Sequence, residues 1–197
     1  MKHPLTILVS GVIVVSLVVN SFAAEPQSSD KLTPTQIMEA FKKVSTGNLA
    51  DAVEEATGNA GFMNYDMKPI FKTKIVGPAS TAVLRRVLKT DARTYPNRAL
   101  QILDEAPSGN ILVYVLEDGL NIAGMGNLMS TTAKVRGLAG AVIDGGVRDV
   151  EELTQIGLPA YSRSITPATS VGRLVSVSKN EPVTCAGVRV RPGDYIM

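Results

Sequence analysis

The sequence predicts one α/β domain. Strand-like and helix-like segments alternate through the middle of the chain, the pattern of helices laid on a sheet. Ile111-Leu112-Val113-Tyr114-Val115-Leu116 is an unbroken apolar run behind a Ser108-Gly109-Asn110 turn, as a buried strand should be. With 197 residues, 45% hydrophobic and 19% charged, the chain has the proportions of a single domain with a proper core.

Met1 to Ala24 reads as an export signal. Lys2 and His3 give a short basic start, Leu5 to Val19 an apolar stretch, and Ser21-Phe22-Ala23 a small-x-small cleavage pattern. The apolar run is about 15 residues, short of the roughly 20 that a spanning helix needs. A periplasmic or secreted protein with no stable membrane association after cleavage is therefore expected, and an uncleaved anchor is the alternative. Glu25 to Pro34 is polar and reads as a linker, and the folded domain is placed at 35–197.

Thr33 precedes Pro34, the order of a capping residue and helix position N1. A helix is expected over Thr35 to Val44, with Ile37, Met38, Phe41 and Val44 on one face. Ser45 to Asn48 is expected to break it, and a second short helix to run from Leu49 to Ala56 and stop at Gly58. Ile75 to Ala79 and Ala82 to Val87 look like strands interrupted by Gly77-Pro78, and Tyr95 to Leu103 like a helix. After the glycine-punctuated Gly119 to Gly126, a helix is expected from Asn127 to Arg136, with Leu128, Thr132 and Val135 on one side. Ala141-Val142-Ile143 then reads as a strand, Asp144-Gly145-Gly146 as a sharp turn, and Val150 to Ile156 as a helix. A strand follows around Ala160 to Ser162. Leu174 to Val190 alternates like a hairpin turning at Asn180-Glu181-Pro182. Arg191-Pro192-Gly193-Asp194 is a turn before a final strand at Tyr195.

Composition excludes much chemistry. The only histidine is His3 and the only cysteine Cys185. Past the signal there is no Ser-His-Asp or Cys-His machinery, no His-ligated zinc and no intrachain disulfide. A net charge of +2 with scattered Lys and Arg gives no nucleic-acid footprint. Catalysis would have to use Asp, Glu, Arg, Lys, Tyr, hydroxyls, backbone groups or a hard metal ion.

Two motifs carry chemistry. In Asp144-Gly145-Gly146-Val147-Arg148-Asp149, a loop at the carboxyl end of a strand would project Arg148, a bidentate fork for a carboxylate, beside Asp149, a hard oxygen ligand. The plain alternative is a solvated surface loop. In Gly124-Met125-Gly126-Asn127-Leu128-Met129, a glycine-rich turn feeds a helix whose first amides form an anion site, or it is an ordinary helix start at Asn127. Asp51, Lys42 and Lys43 read as helix-surface charges. The methionines and Cys185 read as packing, and Asp144 as a turn cap.

The segment GNLMSTTAKVRGLAGAVIDGGVRDVEELTQIGLPAYSRSITP resembles the family of 4-hydroxy-4-methyl-2-oxoglutarate aldolases and regulators of ribonuclease activity A (RraA-like). NLADAVEEATG, IVGPASTA and VRVRPGD support this, and the likeness covers Thr35 to Met197. It implies a layered α/β sandwich of the swivelling β/β/α type, and a homotrimer with sites between subunits. It also implies a divalent cation, Mg2+ or Mn2+, held by Asp149, with Arg148 as the catalytic and substrate-binding residue. The backbone of Gly126, Asn127, Leu128 and Met129 would hold the carboxylate of a small 2-oxo acid. The implied activity is aldol cleavage to pyruvate, with oxaloacetate decarboxylation beside it. A non-catalytic protein-binding regulator on the same scaffold, and a small-molecule binding protein, are the alternatives. Two departures stand out. Asn127 occupies a position where aldolase members often carry an acidic residue, and the family pattern extends past the Pro-Gly-Asp turn, so a C-terminal truncation is expected.

Overall fold

The computed structural model describes residues 32–87 and 96–197. The expected signal and most of the linker lie outside them, as does Tyr95 of the third expected helix. Among the described residues no helix is long and apolar enough to cross a membrane.

Helix α1 (Pro34–Lys43) begins at a full capping box, with Thr33 and Gln36 satisfying each other's backbone N–H. Helix α2 (Thr46–Thr57) follows at once, capped by the Ser45 hydroxyl and ending at Gly58. The expected break at 45–48 is thus the second helix's own first turn. Lys74 closes the end of α1, its Nζ donating to the carbonyls of Lys42 (3.0 Å) and Val44 (2.6 Å). Phe41 meets the Tyr195 ring edge-on.

Among the described residues, ten strands and three further helices build the rest. In chain order they are β1 (Lys68–Pro69), β2 (Gly77–Arg86), α3 (Arg98–Glu105), β3 (Ile111–Leu116), β4 (Ala123–Met125) and α4 (Asn127–Val135). Then come β5 (Gly140–Val147), α5 (Val150–Ile156), β6 (Ala160–Ile165), β7 (Leu174–Lys179), β8 (Val183–Cys185), β9 (Val188–Val190) and β10 (Tyr195–Ile196). The main sheet runs β1-β6-β5-β3-β2-β10, with β4 also on β5 and β7 also on β2. Its centre, β6-β5-β3-β2, is parallel, and β1, β7 and β10 join antiparallel.

Strand β3 shows how the layers arise. Leu112, Tyr114 and Leu116 enter a core shared with Ile102 and Leu103 of α3, Ala133 of α4 and Leu153 of α5. Ile111 and Val113 point the other way, into a core with Val183 and Cys185 of β8 and Val190 of β9. Strict alternation with both faces apolar demands cover on both sides. The result is three layers, a β8–β9 ribbon, the large sheet and the helices, as the β/β/α expectation has it.

Three expectations change. Gly77-Pro78 does not interrupt a strand but starts β2, where a proline is tolerated because its missing N–H falls at the strand's beginning. The C-terminal hairpin does not turn at 180–182. Strand β7 pairs with β2, and the hairpin is β8–β9, turning at Ala186-Gly187. Asp144-Gly145-Gly146 is not a turn but part of a long β5, and the left-handed residue is Asp149 (φ 54°). On α4 the buried residues are Ser130 and Ala133, whose small size lets the helix lie close, while Leu128 and Val135 face outward at 83% and 81% exposure.

Candidate active site

Strand β5 ends at Val147, and the chain reverses at once into α5. The Arg148 N–H donates to the Met125 carbonyl (3.0 Å), tying this corner to the end of β4. Asp149 then takes a left-handed conformation, which aspartate tolerates better than most residues. Its Oδ2 accepts the Asn127 N–H (2.9 Å) and lies 3.5 Å from Arg148 Nε. The motif after β5 and the start of α4, separate in sequence, therefore meet.

Gly126 makes the meeting possible. A Cβ there would stand 2.6 Å from Asp149 Oδ2 and 2.9 Å from Arg148 Nε, so no side chain fits between them. The first regular helical bond of α4 runs from Ser130 N–H to the Gly126 carbonyl (3.0 Å). Asn127 N–H is already held by Asp149. The amides of Leu128 and Met129 meet no acceptor among the described residues, and they are the open end of the helix dipole.

A cleft of about 400 Å3 opens here. Gly126, Leu128, Met129 and Arg148 form one wall, Asn97 and Leu100 another, and the segment Thr169 to Gly172 a third. Arg148 is the one charged side chain among its described lining residues. It is partly exposed, as is Asp149. Asn127 sits beside the cleft, its Oδ1 accepting from the Thr131 hydroxyl (3.2 Å).

A metal was expected at Asp149. Among the described residues no three His, Cys, Asp or Glu side chains come together, so an all-protein cage is not the arrangement. Asp149 Oδ2 is engaged, while no donor among the described residues meets Oδ1. One open carboxylate oxygen fits a hard ion that keeps most of its waters and takes further oxygens from a ligand, the habit of Mg2+.

Other candidates resolve plainly. Asp51 is an exposed α2 residue, and Lys42 pairs with Glu39 on the α1 surface. Cys185 is fully buried, and burial pushes its thiol up to about 12. Asp144 is no turn cap: it is 9% exposed and bound to Arg163, which also holds Asp66. Arg163 drew no attention as a residue. The available signal was a lone arginine on a strand otherwise bearing Tyr, Ser and Ile. The cleft's far walls were also missed, because Asn97 and Thr169 approach it only through tertiary packing.

Comparison with known proteins agrees with this architecture. A Halalkalibacterium halodurans protein named "Putative 4-hydroxy-4-methyl-2-oxoglutarate aldolase" is 29% identical over 162 residues, spanning 80% of this chain and 70% of its own. The crystal structure of an uncharacterized protein from Pseudomonas syringae pv. tomato aligns with a TM-score of 0.72 and 25% identity, over 83% of this chain and 73% of that one. Streptomyces coelicolor RraAS2, described as an unusual member of the RNase ES inhibitor RraA protein family, shares the fold. Its TM-score is 0.70 at 23% identity, over 81% of this chain and 78% of its own. The RraA-like family model, Aldolase/RraA, matches residues 46–197, which include every element from α2 to β10. The chain belongs to the RraA-like family.

Proposed function

We propose that the protein is a divalent-metal-dependent lyase that cleaves 4-hydroxy-4-methyl-2-oxoglutarate-type 2-oxo acids to pyruvate and also decarboxylates oxaloacetate. The observation carrying this reading is that Arg148 and the amide end of α4 line one cleft, with Asp149 in contact with both Arg148 and the Asn127 amide beside it. The aldolase name of the Halalkalibacterium relative supports it.

The substrate carboxylate lies on the Leu128 and Met129 amides, where dipole and free N–H groups both favour an anion. Asp149, through Oδ1, would hold Mg2+ or Mn2+. Bound there, the ion supplies Lewis acidity to the 2-oxo group. Arg148 projects into the same space and stabilises negative charge as it develops on the 2-oxo oxygen. In cleavage the C4 hydroxyl gives up its proton and becomes a ketone as the C3–C4 bond breaks. The bonding pair stays on C3 as an enolate, which is protonated to pyruvate. With no histidine after His3, an ordered water carries the proton. Oxaloacetate loses carbon dioxide to reach the same enolate, so one site serves both reactions. We propose further that the protein is exported and assembles as a trimer.

Turnover of 4-hydroxy-4-methyl-2-oxoglutarate and of oxaloacetate, measured with Mg2+ or Mn2+ and again after chelation, tests the reading. Metal-stimulated pyruvate release that chelation removes is the expected result. Turnover indifferent to chelation would discard the metal-dependent reading, and no turnover at all would leave a non-catalytic, protein-binding regulator as the alternative.

A further inference from the structure

Strand β5 breaks step twice at one place. Between Ile143 and Gly146 it advances three residues while β6 advances two, from Ser162 to Ser164. On its other edge it leaves β3 after Asp144 and takes up β4 at Gly146. An extra residue on one strand is a bulge, and it changes the face to which every later side chain points. Arg148 and Asp149 are the residues that follow.

The bulge is gripped from the face opposite the cleft. Asp144 Oδ1 accepts from Arg163 Nη1 at 2.9 Å, and Oδ2 accepts the Ala186 N–H at 2.6 Å. Arg163 lies on β6 inside the interval where the two registers part. Its Nε and Nη2 hold Asp66 Oδ2 at 2.9 and 2.8 Å. The Ala186 carbonyl accepts the Asn64 N–H at 2.8 Å, so the β8–β9 turn is tied in as well. Neither Asp144 nor Arg163 lines the cleft. A largely buried ion pair adds little net stability over an apolar pair of the same shape, but it can specify one register among several.

We infer that Asp144 and Arg163 are positioning residues. Their ion pair fixes the β5 bulge and so, from the far side of the sheet, aims Arg148 at the cleft and Asp149 at the Asn127 amide beside it. This rests on the proposed role of Arg148 and Asp149, but its geometric part is measurable without catalysis. The Asn127 amide reports it, because Asp149 Oδ2 accepts that N–H.

The test is amide hydrogen exchange on the full chain, with steady-state kinetics on oxaloacetate in the presence of Mn2+. In Arg163→Met the Asn127 amide should exchange about ten-fold faster while the β3 amides keep their protection. kcat should fall by about the same factor with a smaller change in KM. Arg163→Lys, which retains the charge, should recover part of both effects. Asp144→Asn preserves volume and should repeat the pattern, and it decides the matter if Arg163→Met does not fold. Unchanged Asn127 exchange in both variants overturns the inference. So does protection lost equally across β3 and Asn127, or loss of the fold in both, since the pair would then be structural support alone. If the parent protein turns over no 2-oxo acid while Asn127 still responds, the lyase reading falls and the positioning role stands.

Discussion

At the scale of single residues the site depends on two side chains, Arg148 and Asp149, and one missing one. Arg148 leaves the end of a central strand, partly exposed and outside both apolar cores. Arg148→Ala should leave the fold intact and remove a charge-assisted contact, costing about 2–4 kcal/mol in kcat/KM. A variant within a factor of two of the parent, at unchanged Tm, would show that Arg148 does not touch the reacting groups. Gly126 is the missing side chain. Gly126→Ala would place a methyl 2.6 Å from Asp149 Oδ2, so Arg148 and Asp149 must both move. We expect a loss of about 1–3 kcal/mol of stability, as for other overpacked positions, and a larger proportional loss of turnover. Thermal melts beside kinetics would separate the two effects.

At the scale of elements the helix layer is held to the sheet at identifiable points. Tyr114 is fully buried, and its hydroxyl donates to the Ala99 carbonyl at 2.6 Å, fastening the start of α3 over β3. Tyr114→Phe should cost about 1–1.5 kcal/mol, the worth of one buried hydrogen bond, read as a lower urea midpoint at constant m. An unchanged midpoint would mean that packing alone holds α3. The same elements show what was legible beforehand. Strand β3 announced itself because its unbroken apolar, β-branched run and its flanking turn agreed. The Arg148-Asp149 pair and Gly126 were legible because their motifs are local. The bulge in β5 was not, since Asp144 meets Arg163 nineteen residues away and only pairing with β6 creates the irregularity. The hairpin was misplaced for a related reason: β7 and β8 alternate alike, but one finds its partner in β2 and the other in β9. The packed side of α4 was not legible, because the sheet admits the small Ser130 and Ala133 and leaves the larger Leu128 and Val135 outside.

At the scale of the whole molecule Cys185 is a built-in reporter. It is fully buried between the ribbon and the sheet, and burial, with Asp144 nearby, raises its thiol to about 12 from 9.0. The unfolded chain ionises this thiol from about pH 9, whereas the folded chain resists until about 12. The contribution of this thiol to stability should therefore be level below pH 9 and be lost as pH rises through that window. Labelling by a thiol reagent at pH 8 should track global opening, and rapid labelling under native conditions would contradict the burial. A wider consequence follows from the left-handed backbone of Asp149. Asp149→Gly would relieve roughly 1 kcal/mol of backbone cost and forfeit roughly 1 kcal/mol of hydrogen bonding to the Asn127 amide, so the two nearly cancel. The variant should melt within a few degrees of the parent yet lose every response to added Mn2+. Selection for a folded chain would then not guard the reaction. On the proposed mechanism, one near-neutral step would remove the chemistry and leave the scaffold standing.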